Sequence, residues 1–464
     1  MLGELQNQIS DARVSAVKVA DYAESEIAAA ILQNAGNLGW SESGRGAFGK
    51  AIREGAKVLI KPNFVLHKNQ RSDGLTPLIT HQSIIKAAVA EALKANPQQI
   101  IVGDAPVQSC DLDALLRETK LDEWAADLQK HDARFAGIVD FRRTVSKFVG
   151  GVREAEENRR GTENFVLFNL GADSLLEPLT DDKNSFRVTS YDPRLMAKTH
   201  SPGNHQYLVA REVVEADVVI NLPKLKTHKK AGITNALKNL VGINGNKEFL
   251  PHHRIGGADE GGDCYPDTDI VKRGLEYIFD RHNMTKSAAK SKLLATIGTQ
   301  FERVLRLRGD ETGIEGAWSG NETVPRMCLD LNRILLYGKP DASFGDEVQR
   351  RILHISDAII AGQGDGPLAS DALPLGLILG SENAAAMDWV GAFLLGYDAR
   401  KISLLTHSFE DFRWRIADFA PSEIELLGDW AAHQTAANLI ELAINQNVEY
   451  PAGWRGAKAE AADD

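Results

Sequence analysis

The chain has 464 residues, 43% of them apolar, with 53 basic and 64 acidic side chains for a net charge of −11. That length exceeds one ordinary core and predicts two domains, or three, in a protein of soluble globular composition. A net-negative chain without a broad basic face argues against nucleic-acid binding, and no uninterrupted apolar window approaches the roughly 18 residues of a membrane span.

The opening "MLGELQNQISDARVSAVKVADYAESEIAAAI" lacks a basic segment followed by an apolar core, so it is not a secretory signal. Its apolar positions, Ile9, Val14, Val17, Val19, Ala20, Ile27 and Ile31, predict one amphipathic helix over residues 1–35. "NAGNLGWSESGRG" breaks it. "AKVLIKPNFV" then reads as a buried strand ending near Lys61-Pro62-Asn63. "GLTP" is a turn, and "HQSIIKAAVAEALKA" is a helix for which Thr76 and His81 serve as cap and first-turn residues. "QQIIVGDAP" is a second buried strand, stopping at Gly103–Pro106. Strand, helix and strand at this spacing form a right-handed unit with parallel strands. Ligands gather beyond the carboxyl ends of such strands, which here are "KPN" and "GDAP".

"DLDALLRETKLDEWAADLQK" predicts a further helix, and residues 142–185 carry no clear pattern. "HQYLVA" and "ADVVINLP" read as strands. "AGITNALKNLVG" has helical spacing weakened by Gly232 and its asparagines, and helices dominate residues 268–300. "RRILHISDAIIAGQGDGPL" is a strand running into a glycine-rich loop. "LGLILGSENAAAMDWVGAFLLG" is a strand, Ser381 as N-cap, and a helix closed by Gly396. The whole predicts two α/β domains with mostly parallel sheets flanked by helices and an active-site cleft between them. The expected division is a helical arm over 1–45, an α/β domain over 46–300, a second over 301–455 and a disordered tail over 456–464.

The chemistry concentrates in "NLPKLKTHKKAGITNALKNLVGINGNKEFLPHH". From Asn221 through Arg254 there are seven Lys or Arg and one acid, Glu248, a local balance of +6 in an acidic chain. Such a reversal costs self-repulsion unless something negative sits there. In an extended segment Lys224 and Lys226 share one face, with Thr227 and His228 at its end and Lys238 and Asn239 in the helix-like piece that follows. Ammonium groups beside helix-start N–H groups seat a carboxylate or phosphate. The alternative is a solvated lysine face. His228, His252 and His253 either sit in the structure as ordinary histidines or hold a divalent transition metal.

Lys61 at a strand end can hold an anion or act as a base, with Asn63 beside it. Asp104 either binds a cation such as magnesium, orients a histidine, or caps the next turn. In "GQGDGP", Gly362, Gly364 and Gly366 either bring backbone close to a ligand or form a plain tight loop. The pattern is neither a dinucleotide nor a P-loop motif. Asp388, inside an apolar helix, is a buried acid in need of a partner. Cys110, Cys264 and Cys328 lie far apart without a CxxC pair. No iron–sulfur cluster is expected from them, and a reducing cytoplasm is the expected location.

The ordered blocks "VLIKPNFV", "GLTP", "IIVGDAP", "ADVVINLPKLKTHKKAGITNALKNLVG", "DLNR", "ISDAIIAGQGDGPL" and "AMDWVGAFLLGYD" resemble those of the bacterial and archaeal family called domain of unknown function 362, over about residues 57–405. Many members carry a cysteine-rich ferredoxin-like segment, which this chain lacks. A more distant resemblance links His228, "AGITNALK" ending in Lys238, Gly242 and His252-His253 to the nickel-dependent lactate racemase family, with Ala236-Leu237 where that family has Gly-Gly. There the lysine carries a pincer nucleotide and the histidines serve nickel and proton transfer. The resemblance implies those roles for Lys238, His228 and His252 or His253.

The leading expectation is an enzyme acting on an anionic small molecule by metal-assisted proton transfer or redox chemistry at a carbon next to a carboxylate. His228, Lys238 and Lys226 would be catalytic. Lys61, Asn63, Thr76, Lys224, Thr227, Asn239, Gly362, Gly364 and Gly366 would hold the substrate, and His252, His253 and Asp104 a metal. The alternatives are a transferase using a nucleotide or sugar phosphate, with Asp104 or Asp365 on magnesium, and a non-catalytic cofactor-binding protein. A homo-oligomer is compatible with each.

Overall fold

Short runs of β-branched and aliphatic residues assemble one large sheet. A computed structural model describes residues 5–71, 74–149, 152–430 and 446–460, with Leu439, Glu441, Ala443 and Ile444. Ten strands belong to the sheet: β1 (Arg13–Lys18), β2 (Lys57–Pro62), β3 (Gln99–Asp104), β4 (Phe135–Asp140), β5 (Val218–Leu222), β6 (Lys224–His228), β7 (Gly232–Thr234), β8 (Arg351–Gln363), β9 (Asp371–Ser381) and β10 (Glu425–Gly428). Their order is β10-β1-β9-β8-β5-β2-β3-β4, with β6 also pairing β8 and β7. The run from β8 through β4 is parallel, while β9 is antiparallel to both β1 and β8. The α/β class and the mostly parallel sheet are as expected. Strands from either side of residue 301 share this one sheet.

The central strands are apolar on both faces because both faces are covered. Val58 and Ile60 of β2 join Val218, Ile220 and Leu222 of β5 in one hydrophobic cluster, and Leu59 and Val219 point into the other. Helices Glu24–Leu38 and Gln82–Lys94 cover the first face. Helices Thr323–Tyr337 and Ala384–Leu394 cover the second. Register puts Ile220 beside Ile60 and Ile60 beside Val102, so β5, β2 and β3 end together. That common end carries the polar residues Asn221, Lys61-Pro62-Asn63 and Gly103-Asp104.

Several local expectations are corrected. Residues 1–35 are not one helix. β1 occupies Arg13–Lys18 with Val14 and Ala16 fully buried, because the segment lies between β9 and β10 and is covered on both faces; the helix begins only at Glu24. The helix predicted after Cys110 is two, Leu112–Glu118 and Leu121–His131, parted where Thr119 Oγ1 bonds back to Leu115 O and Lys120 turns to φ 55°. "AGITNALKNLVG" is β7 followed by a short helix, Ala236–Asn239. Asn383, not Ser381, caps helix Ala384–Leu394, accepting from the N–H groups of Ala385 and Ala386. Of the tail expected to be disordered, Ala457 and Ala459 are buried, tied by backbone bonds to Asp398 and Gly396. Residues 461–464 lie outside the described residues. No helix among the described residues is long and apolar enough to cross a membrane.

Candidate functional site

Beyond the ends of β2, β3 and β5 lies a cavity of about 370 Å³. Lys226, His228, Lys229, Lys230, Lys238, Lys247 and His252 reach its wall, with Asn63, Asp104, Thr234, Asn239 and Glu315. The basic stretch therefore turns inward and does not form a solvated face.

Its floor is a chain of amides and ions. Asn239 Nδ2 donates to Asn221 Oδ1 (2.7 Å), and Asn239 Oδ1 accepts from Asn63 Nδ2 (2.8 Å) and Lys61 Nζ (3.3 Å). Lys61 is fully buried and donates to Asp104 Oδ1 at 2.7 Å. Asp104 also accepts from the N–H groups of Phe64 (2.7 Å) and Ala105 (2.9 Å). Burial pulls the Lys61 amine down and pushes the Asp104 carboxyl up, each opposed by attraction to the other. Gly242 packs on this pair, and a Cβ there would lie 2.0 Å from Asp104 Oδ1.

The lysines divide by their partners. Lys224 leaves the cavity: its Nζ sits 2.6 Å from Asp357 Oδ2, both side chains fully buried, and donates to Ile360 O. A register shift in the β6–β8 pairing between Lys224 and Lys226 separates two residues expected on one face. Lys226 donates to Asn63 Oδ1 at 2.9 Å and to Leu78 O, with no carboxylate partner among the described residues. Burial, then repulsion from Lys224 and Lys238, holds it well below the ordinary lysine range. Lys229 and Lys230 share Glu315, at 2.9 Å and 3.7 Å. Lys230 leads the effects that draw Glu315 down to about 2. Lys238 and Lys247 line the cavity and make no ion pair among the described residues. Burial, then Lys238 and Lys230, bring Lys247 down to about 7. Thr234 lines the wall, and its Oγ1 is buried with no hydrogen-bond partner among the described residues.

The structure brings together Lys226, His228, Lys238, Asn63, Asn239, Asp104 and His252 of the expected residues, with Lys61 directly beneath. Others lie elsewhere. Thr76 is in the turn before helix Gln82–Lys94 and does not reach the wall. Thr227 donates to Gly364 O at 2.7 Å. Gly362 and Gly366 face the chain, not a ligand: a Cβ would meet Pro77 O at 2.6 Å and Thr227 O at 2.0 Å. The plain-loop reading of "GQGDGP" thus accounts for Gly362 and Gly366 by packing and for Gly364 by its φ of 81°. Asp388 is the cap of helix Ala236–Asn239, accepting from Ala236 N (2.7 Å) and Leu237 N (3.0 Å).

The expected metal set of Asp104, His252 and His253 does not assemble. Asp104 already has three donors, and His253 turns to a separate small cavity beside Glu276 and Asp280. Among the described residues no group of three or more His, Cys, Asp or Glu is placed to hold a metal ion. Sequence reasoning missed Lys230, Lys247 and Glu315 as wall residues. Lys247 carried a signal, being one of the counted basic residues. Glu315 carried none, since it arrives from a loop far along the chain.

Residues 176–393 match the family model described as a domain of unknown function, DUF362. The segment contains the whole basic stretch, β8 and Asp388, and lies inside the wider span of the sequence blocks that resemble this family. A thylakoid-associated protein of Synechocystis sp. is 34% identical over 99 residues, which is 21% of this chain and 29% of that relative. The aligned stretch thus covers under a third of that protein's length. A structure from Thermotoga maritima shares a TM-score of 0.32 at 8% identity, covering 77% of this chain and 55% of its own. The lactate racemase apoprotein of Thermoanaerobacterium thermosaccharolyticum gives 0.33 at 10%, covering 84% and 58%. Both likenesses are too loose to carry an argument about the site.

Proposed function

We propose that this protein is an enzyme acting on a small anionic molecule, a carboxylate or a phosphate ester, held in the lysine-lined cavity. One observation carries the reading: Lys226, Lys238 and Lys247 face one cavity with no carboxylate partner among the described residues. Amines gathered in a partly desolvated space repel one another whenever they are charged, and a bound anion favours their charged forms.

Titration calorimetry with inorganic phosphate and with oxalate tests it. Either anion is expected to bind, and Lys238→Met and Lys247→Met are each expected to weaken binding about tenfold, near 1.4 kcal/mol. Absence of heat for both anions at millimolar concentration, with the wild-type protein folded, overturns the reading.

A further inference from the structure

Two imidazoles share the lysine cavity, and the backbone sets each in a different tautomer. His228 Nδ1 accepts from the N–H groups of Lys230 (3.0 Å) and Ala231 (3.2 Å). A ring nitrogen that accepts carries no hydrogen, so the proton of His228 is on Nε2. His252 Nδ1 lies 2.6 Å from Leu250 O. A carbonyl oxygen only accepts, so His252 keeps its proton on Nδ1 and a lone pair on Nε2. Both rings are in the cavity wall, and the Nε2 atom of each has no protein partner among the described residues. One cavity therefore presents a fixed N–H donor and a fixed nitrogen base.

The same contacts decide which ring can take up a proton. A proton on His228 Nδ1 would point at two N–H groups, so its imidazolium is excluded and the ring serves only as a donor. His228, expected only to move a proton, takes the donor role on this reading. His252 gains its second proton on Nε2 without disturbing the bond to Leu250. Burial, followed by Lys238 for His228 and Lys247 for His252, keeps both neutral. A bound anion offsets the lysines and makes His252 more basic in the complex than in the free protein.

We propose that His252 Nε2 is the general base and His228 Nε2–H the oxygen-polarising donor of an enolisation. The substrate class is a small ketone or 2-oxo acid that also carries a carboxylate or phosphate; the assignment rests on the anion-site reading above. His252 Nε2 removes a proton from the carbon next to the carbonyl. The C–H electron pair becomes the new C=C bond, and the carbonyl pair moves onto oxygen, where His228 Nε2–H donates to it. The lysines stabilise the resulting negative charge, and His252 returns its proton to the same carbon. No oxidant or reductant is needed. A neutral imidazole donor paired with a separate base is a recurring way to stabilise an enolate.

Nitrogen-15 NMR of histidine-labelled protein reads the tautomers directly, with His228→Gln and His252→Gln for assignment. His228 is expected to be protonated on Nε2 and His252 on Nδ1, neither becoming imidazolium between about pH 5 and pH 8. Unchanged His228 resonances in His252→Gln show that the variant is folded. In D2O, with pyruvate and dihydroxyacetone phosphate as probes, deuterium is expected to enter the carbon next to the carbonyl. His252→Gln should slow that exchange by at least about 100-fold. Reversed tautomers overturn the proposal, as does a probe that binds without exchange. If phosphate and oxalate bind but neither probe exchanges, the enolisation falls and the anion site stands. If no anion binds, the anion site falls first.

Discussion

Lys247 shows how a single residue reports on the cavity. Its amine is pushed down to about 7 by burial and by Lys238 and Lys230, against about 10.4 for an unfolded lysine. Folding therefore releases its proton between those values. The destabilisation from this group is complete below pH 7 and fades as pH rises toward 10. Anion binding reverses the effect by restoring the charge. At about pH 8 to 9, binding of phosphate is expected to take up a proton, read as a dependence of the binding heat on buffer ionisation enthalpy. At about pH 6 the uptake from this group disappears, and Lys247→Met removes it throughout. The sequence made this residue countable but gave no means of choosing it over Lys224. Both lie in one basic run, and only the position of Asp357 gives Lys224 a partner and leaves Lys247 without one.

At the scale of the element, the short helix Ala236–Asn239 is decided from outside itself. Four residues cannot hold a helix in water, and the sequence pattern suggested a longer one. Asp388, from another helix, accepts its first two free N–H groups and so sets where Lys238 stands. Burial raises the Asp388 carboxyl to about 8. Its native value lies above the unfolded one, so the folded state holds the extra proton between about pH 4 and pH 8, and the stability from this group declines as pH rises through that window. Asp388→Asn turns an acceptor into a donor facing N–H, with an expected cost of about 1–3 kcal/mol in urea unfolding. It should also flatten that pH dependence and weaken phosphate binding through displacement of Lys238. Unchanged stability and affinity would refute this role of the carboxylate.

At the scale of the molecule, the first strand and the last join one sheet. β1 pairs with β9 on one side and β10 on the other, and Val14, Ala16 and Val17 are buried. Removal of residues 5–18 would strip β9 of its neighbour and detach β10, leaving an unpaired edge open to association. The shortened protein is expected to lose soluble yield and to elute as aggregate in size-exclusion chromatography. A monodisperse product with the parent melting temperature would show that β1 is dispensable. β1 was misread because Val14 and Val17 fit a helical spacing as well as a strand buried on both faces, and neighbours distant in sequence decide between them.

The sequence by itself determined the parallel β2–β3 unit, the strand character of β5, the helices Gln82–Lys94 and Ala384–Leu394, the polar ends of the strands, and the concentration of positive charge between Lys224 and Arg254. These are local properties: β-branched runs, capped amphipathic stretches and composition act within a few residues. Only the tertiary structure decided that Lys224 is paired with a carboxylate and Lys226, Lys238 and Lys247 are not, that Glu315 enters the wall, and that Gly362 and Gly366 of "GQGDGP" pack against Pro77 and Thr227. Each of those depends on which buried group lies within hydrogen-bond reach, and that distance is fixed by chain segments tens to hundreds of residues apart.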